Sequence, residues 1–114
     1  IANSEEYHPW KALRGIWPRV QESYVFGLKA SLNGWLGGMH FTGKAGIFAP
    51  LELTEGRDGV LALAGHWEGD ELVTADLNLA ALRRARQEAE YWGDANPAFE
   101  AGYWERTYGR GRIT

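Results

Sequence analysis

Lys44-Ala-Gly-Ile-Phe-Ala49, halted by Pro50, and Val60-Leu-Ala-Leu-Ala64, opened by Arg57-Asp58-Gly59, decide the fold class. Both are nearly continuous apolar runs without the alternation of a half-exposed strand, which is the pattern of strands covered on both faces. Such strands belong inside a layered body, with helices lying over them. Working outward, Tyr24-Val-Phe-Gly-Leu-Lys-Ala-Ser-Leu32 is rich in strand formers and closes on Asn33-Gly34, with Gly37-Gly38 continuing a long turn. Glu71-Leu-Val-Thr-Ala-Asp-Leu77 follows the turn residues Glu68-Gly69-Asp70 and supplies a fourth expected strand.

Helical periodicity flanks these runs. From Pro9, the residues Trp10, Leu13, Trp17, Val20 and Tyr24 recur at three- and four-residue steps, one face of a helix. Pro18 has no amide proton and its ring collides with the carbonyl of Arg14, so a kink or restart is expected near Gly15 to Trp17. Asn78 is placed to cap a second helix over 79–90, with Leu79, Leu82, Ala85 and Ala89 facing inward and Arg84/Glu88 and Arg86/Glu90 paired outward. Residues 91–114 mix aromatics with Gly, Asn and Arg without a sustained period and read as an extended tail. The expectation is one α/β domain over 1–114, with about four strands, two main helices and that tail.

Composition narrows the function classes. Thirteen per cent aromatic residues, six of them Trp, give too much buriable surface for a disordered chain. Fifteen acidic against 12 basic residues, spread along the chain, provide no polycation for nucleic acid or an anionic membrane. No apolar run reaches the roughly 20 residues needed to cross a bilayer, and no signal pattern opens the chain, so a cytoplasmic protein is expected. Zero cysteines exclude disulfides, thiolate metal sites and thiol nucleophiles from these 114 residues. Because the first residue is Ile1 and not Met, the chain is expected to be a truncation, a processed product or a proteolytic remnant.

Familiar site patterns fail one by one. His8, His40 and His66 share no metal-ligand spacing, and neither Ser23 nor Ser31 stands in a Gly-x-Ser-x-Gly elbow. Gly43-Lys44 is followed by Ala45, which lacks the hydroxyl a phosphate loop gives to magnesium. Arg110 and Arg112 between glycines are too few for an RNA-binding tail. Trp10 and Trp17 fall on the helix stripe and read as core, whereas Trp35, beside Gly34, is placed to line a pocket or a subunit contact. Lys29 and Lys44 sit in strand sequences, where a lysine needs a partner or a depressed pKa.

Several segments, in order, resemble the second half of carbon-nitrogen hydrolases of the nitrilase superfamily. Arg19-Val-Gln-Glu-Ser-Tyr-Val-Phe-Gly-Leu-Lys-Ala-Ser31 is similar to the family's helix-to-strand passage, and Phe41-Thr-Gly-Lys-Ala-Gly-Ile-Phe-Ala-Pro50 to its Phe-x-Gly-x-Ser-x-Ile-x-x-Pro strand. Asp58-Gly-Val-Leu-Ala62 resembles the turn and strand that follow, 71–86 the last core strand with its Asp-Leu-Asp-Leu-x-x-Leu-Arg-x-x-Arg helix, and 94–99 part of the tail. The match covers about residues 10 to 99. Ala45 replaces the family's usual serine and Ser31 a common asparagine, so polar contacts near the site differ.

The resemblance implies the C-terminal half of a four-layer α-β-β-α sandwich and a Glu-Lys-Cys triad acting on a nitrile or amide, with no metal and no cofactor. All three triad positions precede the matched region, so no residue here takes a catalytic role and the chain alone is expected to be inactive. Ser31, Trp35, Phe41 and Lys44, at strand ends and in the glycine loop, are the expected substrate-binding wall. The expected partners are further copies of the chain or the missing N-terminal half, with an amide or nitrile as substrate of the intact protein. Two other readings stay open: a non-catalytic interaction module with the same fold, and an unrelated small α/β binding domain.

Overall fold

The computed structural model describes residues 8, 15–89 and 97–109, and the chain is mixed α/β. The described residues hold three helices and two small antiparallel sheets. In chain order these are α1 (Ile16–Ser23), β1 (Gly27–Lys29), β2 (Gly34–Leu36), β3 (Met39–Phe41), β4 (Gly46–Phe48) and β5 (Val60–Leu63). Helices α2 (Leu79–Glu88) and α3 (Pro97–Tyr108) follow.

The two apolar runs become neighbours. The larger sheet has the order β1-β4-β5, with Leu28 opposite Ile47 and Ile47 opposite Ala62. All three residues of central β4 are buried, as expected for a strand covered on both faces, and Phe48 is fully enclosed. Edge strand β5 is only half-covered, and its Leu63 is exposed. A shift between Ile47 and Phe48 breaks the register of β4 against β5.

Helix α1 packs on β1 and β4, and Gly27 is the reason it lies so close. A Cβ at Gly27 would stand 2.5 Å from Cγ2 of the buried Val20. Pro18 falls at the third residue of α1, in the first turn, where an amide proton has no intrahelical acceptor. The described helix begins at Ile16, and the part of the expected helix before it, with Trp10 and Leu13, lies outside the described residues. Trp17 and Gln21 bind the helix to the loop after β4. The Trp17 indole donates to the Asp58 carbonyl (2.7 Å), the Gln21 amide donates to the Ala49 carbonyl (2.9 Å), and its oxygen accepts from the Leu51 amide (3.0 Å).

Helix α2 has the expected cap, the Asn78 side chain accepting from the Ala81 amide at 2.9 Å. It packs against the 3₁₀ turn Leu51–Leu53, with Leu82 buried and Ala85 and Ala89 half-buried. Leu79, expected inward, is the first residue of the helix and is 57% exposed. Arg84 and Glu88 are exposed, and Glu90 lies outside the described residues.

Three expectations need correction. Residues 33–41 form a hairpin, not a long loop: β2 pairs with β3 through Gly37-Gly38, both at positive φ, which supply the backbone that a tight turn requires. Residues 71–77 form no strand among the described residues. Val73 and Ala75 are half-buried between exposed Leu72, Thr74 and Asp76, the alternation of an extended segment, yet no sheet edge meets it. The tail expected to be extended contains α3, which begins at Pro97, a residue suited to a helix start. Its apolar side chains do not fall on one face, which is why periodicity missed it.

Candidate functional site

β1 ends, β4 begins and β5 ends at the same margin of the antiparallel sheet, and a cleft of about 240 Å³ opens there. Ala45, just before β4, and Ala64, just after β5, form its apolar part and are joined by a bond from the Ala64 amide to the Ala45 carbonyl (2.9 Å). Ser31, Leu32 and Asn33 enter from the segment after β1, and His66, Gly69, Asp70 and Glu71 from the loop after β5.

Local hydrogen bonds hold these walls. The Ser31 hydroxyl donates to the Lys44 carbonyl (3.1 Å), and the Asn33 amide nitrogen donates to the Gly43 carbonyl (3.4 Å). The Glu71 carboxylate accepts from the Gly65 amide at 2.7 Å, closing the 65–71 loop on itself. That loop is tied back to the β3–β4 connection by the Gly43 amide, which donates to the Trp67 carbonyl (3.2 Å).

The four expected wall residues divide between two places. Ser31 lines the cleft, and Lys44 is joined to it through its backbone. Trp35 and Phe41 lie on the β2–β3 hairpin and do not line it. Trp35 is 74% exposed and stacks on His40, ring centroids 4.7 Å apart, while His40 bonds Glu68 and meets the edge of Trp67. Phe41 is half-buried opposite Gly34.

Sequence reasoning missed Asn33, His66, Asp70 and Glu71. Glu68-Gly69-Asp70 was legible as turn chemistry, and loops at strand ends commonly carry binding groups. The folding of that turn over Ala45 and Ala64 depends on pairing between strands far apart in sequence, which no local motif records.

The Ser31 proton is directed to a backbone carbonyl and not to an imidazole, so this hydroxyl is not arranged as a nucleophile. The sequence contains no thiol. Among the described residues no three His, Asp or Glu side chains converge as metal ligands. Burial holds the Lys29 ammonium below the usual lysine range. The Tyr24 phenol is pushed above its usual range, first by burial and then by its hydrogen bond and charge contact with Glu52. Among the described residues, no helix is long and apolar enough to cross a membrane. Comparison with protein-family models, curated proteins and solved structures returned no match.

Proposed function

We propose that this chain is the C-terminal part of a cytoplasmic carbon-nitrogen hydrolase of the nitrilase superfamily, and that it lends one sheet and a stretch of pocket wall to a reaction whose cysteine lies on polypeptide outside these 114 residues. The observation that carries the reading is the position of the family-like motifs. The segments ending at Ser31 and running through Lys44 to Pro50 lie side by side as β1 and β4, and the cleft opens where the end of the first meets the start of the second, at Ser31 and Ala45. In the reaction, a cysteine thiolate adds to the nitrile or amide carbon, and a glutamate takes the thiol proton. A lysine steadies the negative charge that develops. From an amide the nitrogen leaves protonated and gives the thioester directly, whereas the thioimidate formed from a nitrile first adds one water before ammonia leaves. A further water then opens the thioester to the acid and returns the thiol. The chain alone is inactive.

The test combines the purified chain with the polypeptide carrying the Glu, Lys and Cys, and assays release of ammonia or amine from short amides and nitriles. Turnover that requires both parts and is lost on replacing the cysteine with alanine is expected. Turnover by the N-terminal polypeptide without this chain contradicts the reading.

A second reading, a non-catalytic interaction module, draws on the exposed Trp35 and the exposed aromatics Phe99, Tyr103, Trp104 and Tyr108 of α3. It predicts that the chain binds a partner and that no cysteine-bearing polypeptide restores hydrolysis.

A further inference from the structure

The polar groups of the cleft are unequally balanced between donors and acceptors. Ser31 uses its hydroxyl proton on the Lys44 carbonyl, which leaves its oxygen as an acceptor. Asn33 turns its nitrogen to the Gly43 carbonyl, which leaves its side-chain oxygen. Glu71 gives one carboxylate oxygen to the Gly65 amide and keeps the other, while the exposed Asp70 adds a second carboxylate. Among the described residues, no lysine or arginine lines the space, and His66 is the one lining residue able to carry positive charge. Ala45 and Ala64 contribute an apolar surface beside these acceptors.

A ligand matched to such a cleft brings several donors and a positive charge on a short carbon stem. A primary ammonium offers three donors and no acceptor, whereas a carboxylate or phosphate would meet like charge. The volume, about 240 Å³, holds a chain of a few carbons. We infer that this cleft is a binding site for the ammonium end of a small aliphatic amine, held by Asp70, Glu71, Asn33 and Ser31 with its stem on Ala45 and Ala64.

This inference deepens the proposed hydrolase reading by naming an amine-bearing amide or nitrile as the substrate class, and it rests on that reading only for the ligand's role as substrate. Amine binding itself is read without turnover, so failure of the two ideas is observed separately. The experiment titrates the isotope-labelled 114-residue chain with n-butylammonium, butyrate and n-butanol and follows the backbone amides by NMR. Saturable shifts centred on Asn33, Ala45, Gly65 and Gly69 are expected with n-butylammonium only. Asp70→Asn, an exposed loop change, is expected to weaken that binding about tenfold, the size of one lost charge-assisted hydrogen bond. Equal binding of butyrate or butanol, the absence of saturation, or an unchanged affinity in Asp70→Asn would each overturn the inference.

Discussion

Gly59 stands at φ +79°, and a Cβ there would lie 2.5 Å from the Trp17 indole nitrogen and 2.6 Å from the Gln21 amide nitrogen. Its amide donates to the buried Thr54 hydroxyl and its carbonyl accepts from Ala49, so one residue joins the turn before β5 to α1 and the end of β4. Gly59→Ala should lower stability by about 1–3 kcal/mol through backbone strain alone, measured by chemical denaturation. A loss under a few tenths would show that the turn relaxes freely. Lys29 and Tyr24 shift stability with pH in opposite directions. The folded pKa of Lys29 lies below 10.5, so its burial cost is complete below that folded value and fades as pH rises toward 10.5. Lys29→Met should remove this upward contribution to the alkaline stability curve. Tyr24, raised above 10.0, contributes stability that is complete below 10.0 and lost as pH climbs through its folded value, and Tyr24→Phe should remove that decline. Matched melting curves across the alkaline range check both signs. At this scale the sequence disclosed Ser31, because a polar residue ending a strand is visible locally. It did not disclose His66 or Asp70, whose positions depend on how the loop after β5 closes.

The elements show which signals are local. The Asn78 cap was readable because its acceptor serves an amide three residues on, and Asn78→Ala should cost about 1 kcal/mol, detected as a lower denaturation midpoint with unchanged slope. A loss confined to the helical signal of α2, with the sheet intact, would show that this helix melts separately. β4 was readable because burial on both faces leaves a continuous apolar run, whereas the equally apolar β5, expected to be covered on both faces, is a half-covered edge strand. The β2–β3 hairpin was less so: its register rests on Trp35 opposite His40, a pairing that neither residue type announces. The 71–77 segment has strand composition but, among the described residues, lacks a strand beside it, and composition cannot supply a hydrogen-bonding partner. α3 defeats periodicity because Phe99 and Tyr103 lie on one side of the helix and Trp104 and Tyr108, in tilted ring contact at 4.6 Å, on another.

The whole molecule is expanded. Its Cα radius of gyration is 17.6 Å, whereas a compact domain of this length comes to about 13 Å. Among the described residues, six hydrophobic residues form the buried core, against sixteen large hydrophobic residues left exposed, Leu72 and Trp35 foremost. Both outer edges of the three-stranded sheet lack a neighbouring strand among the described residues. Surface of this kind favours association, so light scattering on the purified chain should give a mass that is a multiple of 12.8 kDa. A single dispersed species at 12.8 kDa would contradict that expectation. The measurement that bears most directly on the proposed function is hydrolysis by the isolated chain, assayed against a panel of short nitriles, amides and carbamoyl amines. No release of ammonia or amine above the buffer rate is predicted, because none of these 114 residues supplies a thiol. Turnover by the chain alone, undiminished after repurification, would contradict the account.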